Sequence, residues 1–385
     1  MADRIETQCI HLYREEERRE QERTYGAISI PIFQTATFAH PDLGKTTGYD
    51  YTRQTNPTRN YLEKLVAQLE QGSDCAAFTS GMAAISALME IFSPGDHLIV
   101  EEDLYGGSIR LFERISQKNG IEFTRLNIAE DNVEPHITDH TKAVFIETPT
   151  NPMMHVTDIE ALAKTCKKHE LLLIVDNTFL SPYLQNPISL GADIVVHSGT
   201  KYMGGHNDTL SGFLVAATPE LGEKIHFMAK CLGAALDPFD SWMIIRGIKT
   251  LAVRMERACE NAMKIAEWLK RQEKVTDVFY PGLIDHPGYA IVKKQARGFG
   301  AMISFNMRTK EQAVNLLKEV QLIQFAESLG GTESLLTYPI TQTHSEVPEE
   351  LRLKNGLTDR LLRLSVGIEN ADDMIQDLDC AMKKV

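Results

Sequence analysis

Leu171-Leu-Leu-Ile-Val-Asp176 is an unbroken apolar run closed by a carboxylate. A strand with one face in water alternates apolar and polar residues. A continuous run instead indicates a strand buried on both faces, as in parallel sheets covered by helices. Just upstream, Asp158 to His169 has helical spacing, and Ala143 to Glu147 is a second short apolar strand. Further back lie a helix at Ser108 to Asn119 and a strand at His97 to Val100, then a helical Ser80-to-Phe92 stretch, a strand at Cys75 to Phe78, and a helix that starts at Tyr61 and runs to Glu70. Strands that alternate with helices of this length predict an α/β fold, a mostly parallel sheet with crossover helices. Asp176 then stands at a strand's carboxyl end, where such sheets bind ligands. There it either pairs with a cation or caps the following turn.

Downstream, Ala192-Asp-Ile-Val-Val-His-Ser-Gly-Thr-Lys-Tyr-Met-Gly-Gly-His206 is another apolar strand, and it ends in two hydroxyls, a lysine and a glycine pair. An amine placed there, with its pKa lowered by burial or by neighbouring cations, can condense with a carbonyl, whereas an exposed ammonium cannot. Lys201 is therefore read as a Schiff-base lysine, with Ser198 and Thr200 offering hydroxyls to a phosphate. Ser198-Gly-Thr-Lys201 also fits the Ser-x-x-Lys of β-lactamases, but that reading needs a Ser-Asp-Asn and a Lys-Thr-Gly. Lys249-Thr250 is followed by Leu251, and no Ser-Asp-Asn occurs. Thr79-Ser-Gly-Met82 opens a helix whose first N–H groups face outward, which makes either an ordinary capped helix or an anion cradle.

A long helical tract from Pro238 through Arg254 to Leu269 divides the chain into an α/β domain, residues 48–245, and a smaller α+β domain, residues 246–385. Strands at Val275 to Tyr280, Ala301 to Asn306 and Leu361 to Val366, with helices at Lys310 to Val320 and Ala371 to Lys384, fill the second. Residues 1–47 have no core of their own and form an arm, either loosely attached or packed on a neighbouring subunit. The 385 residues are 43% hydrophobic and 24% charged, as in soluble globular proteins. A formal charge of -13 disfavours nucleic acid and anionic membrane as partners. There is no apolar run of membrane-spanning length and no signal-like amino end, so a cytoplasmic location is expected. The six cysteines, none in a Cys-x-x-Cys pair, read as free thiols and predict no metal site. Gly298-Phe-Gly-Ala-Met-Ile lacks the third glycine of a dinucleotide motif and opens a strand.

Several of these pieces recur together. Tyr51-Thr-Arg-Gln-Thr-Asn-Pro-Thr-Arg59, Ser80-Gly-Met82, Asp103-Leu-Tyr-Gly-Gly107, Glu147-Thr-Pro-Thr-Asn-Pro152, Asp176-Asn-Thr-Phe179, His197-Ser-Gly-Thr-Lys201, Glu327-Ser-Leu-Gly-Gly-Thr-Glu-Ser334 and Arg363-Leu-Ser-Val-Gly367 resemble the cysteine and methionine metabolism family of pyridoxal 5'-phosphate (PLP) enzymes. The resemblance runs from about Ile30 to the last helix. It implies the fold type I, aspartate aminotransferase-like architecture, with PLP as cofactor and small amino acids as substrates. It further implies that Lys201 carries PLP and moves protons, that Asp176 pairs with the pyridine nitrogen, and that Tyr105 stacks on the ring and acts near the leaving group. The phosphate is expected on the backbone of Gly81 and Met82 and the hydroxyls of Ser198 and Thr200, with Tyr51 and Arg53 reaching in from the neighbouring subunit; these two can equally serve dimer packing. Arg363, helped by Asn151 and Ser328, is expected to clamp the substrate carboxylate. The family also suggests a homotetramer built from two active dimers.

Within the family, Gly107 stands where methionine γ-lyases generally carry cysteine. Glu327 and Arg110 match positions whose charges recognise the distal amino acid end in cystathionine γ-synthases and γ-lyases. The tail Thr337 to His344 also looks more like γ-synthase and acyl-homoserine thiolyase members, while Gly199 and Gln54-Thr55 depart from the commoner pattern. The expectation is a γ-acting transsulfuration enzyme, first of all a cystathionine γ-synthase. The alternatives are cystathionine γ-lyase, then O-acetylhomoserine sulfhydrylase, cystathionine β-lyase or methionine γ-lyase, and remotely a non-catalytic PLP-binding scaffold.

Overall fold

The computed structural model describes residues 3–342 and 349–385. Its larger sheet contains β1 (Asp74–Phe78), β2 (His97–Glu101), β3 (Glu122–Leu126), β4 (Thr141–Glu147), β5 (Leu172–Asp176), β6 (Ile194–Ser198) and β7 (Gly212–Ala216). The strand order is β1-β7-β6-β5-β4-β2-β3, with β7 antiparallel to both neighbours and every other pairing parallel. Leu173 and Val175 of β5 enter one hydrophobic cluster and Ile174 the other, all three fully buried. The apolar run is thus the centre of a sheet covered on both faces, each such side chain contributing about 1.5–3 kcal/mol as an upper bound.

Side-chain caps set where the crossover helices begin. Ser80 Oγ accepts from Ala83 N at 3.1 Å to start Gly81–Met89. Asp158 Oδ1 accepts from Ala161 N at 3.0 Å to start Ile159–Lys168. Asn56 caps Pro57–Glu70, which carries proline in its first turn. Each cap contributes about 1 kcal/mol by satisfying an N–H that the helix cannot.

The smaller sheet contains β8 (Val275–Phe279), β9 (Met302–Met307), β10 (Gln324–Phe325), β11 (Leu335–Thr337) and β12 (Leu361–Ser365), in the order β10-β11-β12-β9-β8. Only the β10–β11 pairing is parallel.

Several sequence expectations need correction. The helix expected over Ser108 to Asn119 is an α-helix, Gly106–Leu111, that widens into a π turn, Phe112–Ser116. The tract from Pro238 to Leu269 is two helices, Pro238–Ile248 and Leu251–Leu269, broken at Lys249-Thr250. Strand β3 escapes a hydrophobic-run search because it is an edge strand with polar residues. Strand β7 escapes because it is reached without a crossover helix, and Pro219–Leu232 is a further unexpected helix.

Near the amino end, Cys9, Leu12 and Ile30 join the main core, and Lys64 bridges Glu16 at 2.8 Å and Glu20 at 3.1 Å. Tyr25, Ile28 and Leu43, by contrast, are exposed. The tail positions Thr343 and His344 lie outside the described residues. Among the described residues no helix is long and apolar enough to cross a membrane.

Candidate active site

Strands β4, β5 and β6 end in Glu147, Asp176 and Ser198, with Glu147 and Asp176 directly paired in register. The chain then turns so that Lys201 follows closely. These ends line a cavity of about 350 Å³ shared with Gly81, Met82, Tyr105, Asn151 and Thr200 from the larger sheet's side and with Glu327, Ser328 and Arg363 from the smaller. Three of the expected site residues lie elsewhere. Arg53 lines a separate hollow beside Arg59, donates from Nη1 to Lys230 O at 2.6 Å and stands 5.6 Å over the Tyr51 ring. Arg110 is exposed on the helix that begins just after Tyr105 and is not part of the cavity lining. A roomier hollow of about 480 Å³ beside β8 has its own lysine, Lys270, but in a half-exposed ion pair with Asp285 at 2.6 Å.

Lys201 Nζ donates to Ser328 Oγ at 2.7 Å. Burial, and next the positive charge of Arg363, bring its pKa down to about 8, against the opposing pull of Glu327. A substantial neutral fraction near physiological pH is what a carbonyl-binding amine requires. Ser328 adopts φ +79°, a left-handed conformation that costs a non-glycine residue about 1–2 kcal/mol. The turn lets one residue serve two partners, since its hydroxyl meets Lys201 while its carbonyl accepts from Arg363 Nη2 at 3.0 Å.

Arg363, fully buried on β12, also donates to Asn151 Oδ1 at 2.9 Å and Thr337 Oγ1 at 3.3 Å, and its Nε has no partner. Burial pulls its pKa down to about 10. A guanidinium so enclosed and bonded only to neutral groups calls for an anion, because burying a charge unpaired is costly. Asp176 has the opposite need. It is buried, accepts from Thr178 N at 3.0 Å, and burial raises its pKa while His197 pulls it down. Thr178 Oγ1 in turn accepts from Ser198 N at 2.9 Å and ties the two strand ends together. Behind the sheet, His197 meets Glu70 at 2.6 Å, and Asn177 donates to the same carboxylate at 2.7 Å.

The donor set fits PLP. A Cβ on Gly81 would stand 3.0 Å from Ser198 Cβ, so the helix start lies this close to the end of β6 because residue 81 has no side chain. The helix Gly81–Met89 leaves the N–H groups of Gly81 and Met82 without intrahelical acceptors, a ready site for an anion. Lys201 suits the aldehyde, Asp176 a protonated ring nitrogen, and Arg363 the carboxylate of an amino acid. Sequence reasoning missed Glu147, which is buried in the same cavity and accepts from Tyr105 N at 2.9 Å. Its signal in the sequence was a carboxylate closing an apolar strand, as in Asp176.

Comparison with known proteins gives a consistent answer. The model of the Cys/Met metabolism PLP-dependent enzyme family matches residues 6–383. The chain is 48% identical to a cystathionine γ-synthase of Haemophilus influenzae, over 94% of each chain. It is 45% identical to a cystathionine β-lyase of Lactococcus lactis subsp. cremoris, over 94% of this chain and 96% of the other. The structure of a cystathionine γ-lyase from Lactobacillus plantarum, complexed with L-serine, superposes with TM-score 0.94 at 45% identity, covering 99% of each chain. Family-wide likeness at this level, on a cavity that fits the cofactor, makes the protein a PLP-dependent member of the Cys/Met metabolism enzyme family.

Proposed function

We propose that the enzyme works at the γ-carbon of homoserine-derived amino acids, replacing the acyloxy group of an O-acyl-L-homoserine with the thiol sulfur of L-cysteine to give cystathionine and the free carboxylate. The observation that carries this reading is the pair of opposite charges flanking Lys201, buried Arg363 on one side and exposed Glu327 on the other. Arg363 takes the α-carboxylate, and Glu327 takes an ammonium farther along the substrate, which cysteine and cystathionine carry and which methionine lacks. Arg110 lies outside the cavity lining, so the reading leans on Glu327.

When bound, PLP supplies an electron-accepting ring that takes up the pair left by a departing proton. Lys201 would hold it through Nζ and would serve as the base for the α-proton, with Ser328 Oγ orienting that amine. Asp176 would pair with the ring nitrogen and favour its protonated form, while Gly81, Met82, Ser198 and Thr200 would hold the phosphate. Tyr105, which lines the cavity, would lie against the ring and could pass a proton at the leaving group. Tyr51 and Arg53, set outside their own chain's cavity on a segment with exposed apolar residues, serve the cavity of a second copy, and two such active dimers form a tetramer. Six cysteines without disulfides agree with a cytoplasmic enzyme.

The experiment is product identification by mass spectrometry after giving the PLP-loaded protein O-acetyl- or O-succinyl-L-homoserine with L-cysteine. Cystathionine as main product supports γ-replacement. Release of 2-oxobutyrate with cysteine unconsumed overturns it and favours the γ-lyase reading, to be tested with cystathionine as substrate. Pyruvate and homocysteine from cystathionine would indicate the β-lyase.

A further inference from the structure

The loop that carries Tyr105 leaves β2 and enters the helix Gly106–Leu111 almost at once, and the Tyr105 side chain is 40% exposed. Two fixtures locate it. One is Glu147 of β4, whose Oε2 accepts from the Tyr105 N–H at 2.9 Å. The other is Gly107. A Cβ there would stand 2.4 Å from Tyr105 Cε1 and 2.9 Å from Met82 Sδ, so the ring lies against bare backbone. We propose that Glu147 is a positioning residue that holds Tyr105 over the cavity through this backbone contact, acting by its reach and not by its charge.

The surroundings of Glu147 support a role that needs no charge. It is 4% exposed and lies beside Asp176 of β5, with Asp103 after β2 and Arg363 of β12 as the other charged groups acting on it. Two adjacent carboxyls in a dry site do not both ionise readily. Asp103 is held by Thr150 Oγ1 at 2.5 Å and Met153 N at 3.2 Å, and Arg363 turns its two Nη groups to Asn151, Ser328 and Thr337. Burial and then the Asp176 charge push the Glu147 carboxyl well up. A neutral carboxyl still accepts the Tyr105 N–H through an oxygen. The rival role is an ionised Glu147 that balances Arg363.

Glutamine and aspartate separate the two roles. Gln keeps the length and an acceptor oxygen but cannot ionise, whereas Asp keeps the acid but falls one methylene short. The inference rests on the cavity being the PLP site proposed above, so PLP binding to the unaltered protein, titrated by fluorescence, is measured first. No saturable binding there sinks that reading, not this one.

With binding established, E147Q should keep the PLP Kd within about threefold, while E147D and E147A weaken it about tenfold, the scale of one lost hydrogen bond. In a Y105A background E147A should change the Kd by less than about twofold, because coupled residues are not additive. Equal damage from E147Q and E147A, or retention by E147D with loss in E147Q, overturns the inference. So does an E147A effect that is undiminished without the Tyr105 ring. If E147A does not fold, the Gln–Asp comparison alone decides.

Discussion

The two sheets meet at one cavity but contribute different chemistry. The larger sheet brings strand ends, and from these come the amine at Lys201, the acid at Asp176 and the hydroxyls at Ser198 and Thr200. Their positions follow from parallel pairing, which lines up carboxyl ends on one edge. The smaller sheet brings Arg363 from the middle of β12, together with Glu327 and Ser328 from the link between β10 and β11. A buried arginine on an antiparallel strand and a carboxylate on an irregular link suit recognition of a ligand's charged ends. The difference suggests a division of labour: the larger sheet governs the cofactor and proton transfer, and the smaller governs which amino acid is held and how.

Substitutions on each side should separate accordingly. K201A has the largest expected effect, a fall in kcat of at least about 10³-fold, as for loss of a general base, in protein that stays folded by circular dichroism. Next comes the rate at which PLP-free protein captures PLP. Below the Lys201 pKa of about 8 most of the amine is protonated, so the rate should rise about tenfold per pH unit and level off above that value. Stopped-flow absorbance checks this, and a flat profile from pH 6 to 9 would mean that another amine reacts.

On the smaller sheet, R363A should raise KM for the homoserine ester about 30-fold, corresponding to about 2 kcal/mol for a charge-assisted contact, with the PLP Kd unchanged within error. A loss of PLP binding instead would break the division. E327Q should raise KM for cysteine about tenfold, or about 1.4 kcal/mol, and leave KM for the ester nearly unchanged. The smallest effect is expected from G107A, a few-fold fall in kcat as the added methyl moves the Tyr105 ring, part of an aromatic side chain open enough to rotate.

Much of the larger sheet was legible because its strands are short apolar runs with acids or hydroxyls at the ends. Leu172–Asp176 and Ile194–Ser198 show both the fold and the site in one reading. Strand β7 was not legible, since it follows β6 antiparallel and without the helix that marks the other connections. Arg363 was recognisable only through its family motif, because nothing in Leu-Leu-Arg-Leu-Ser announces that an arginine mid-strand is fully buried. Glu147 escaped for a different reason. Its acceptor role toward Tyr105 N joins residues 42 apart in the chain, a relation that local spacing does not express. The dual use of Ser328 depends on a left-handed backbone at a serine, which composition does not signal.

The most direct test of the account is to reduce the PLP-loaded protein with borohydride, which fixes PLP to the amine that holds it, and to map the peptides by mass spectrometry. A single modified peptide containing Lys201 is predicted, together with loss of the label in K201A. Labelling at another lysine, or an even spread over exposed lysines, would contradict the assignment of this cavity as the cofactor site.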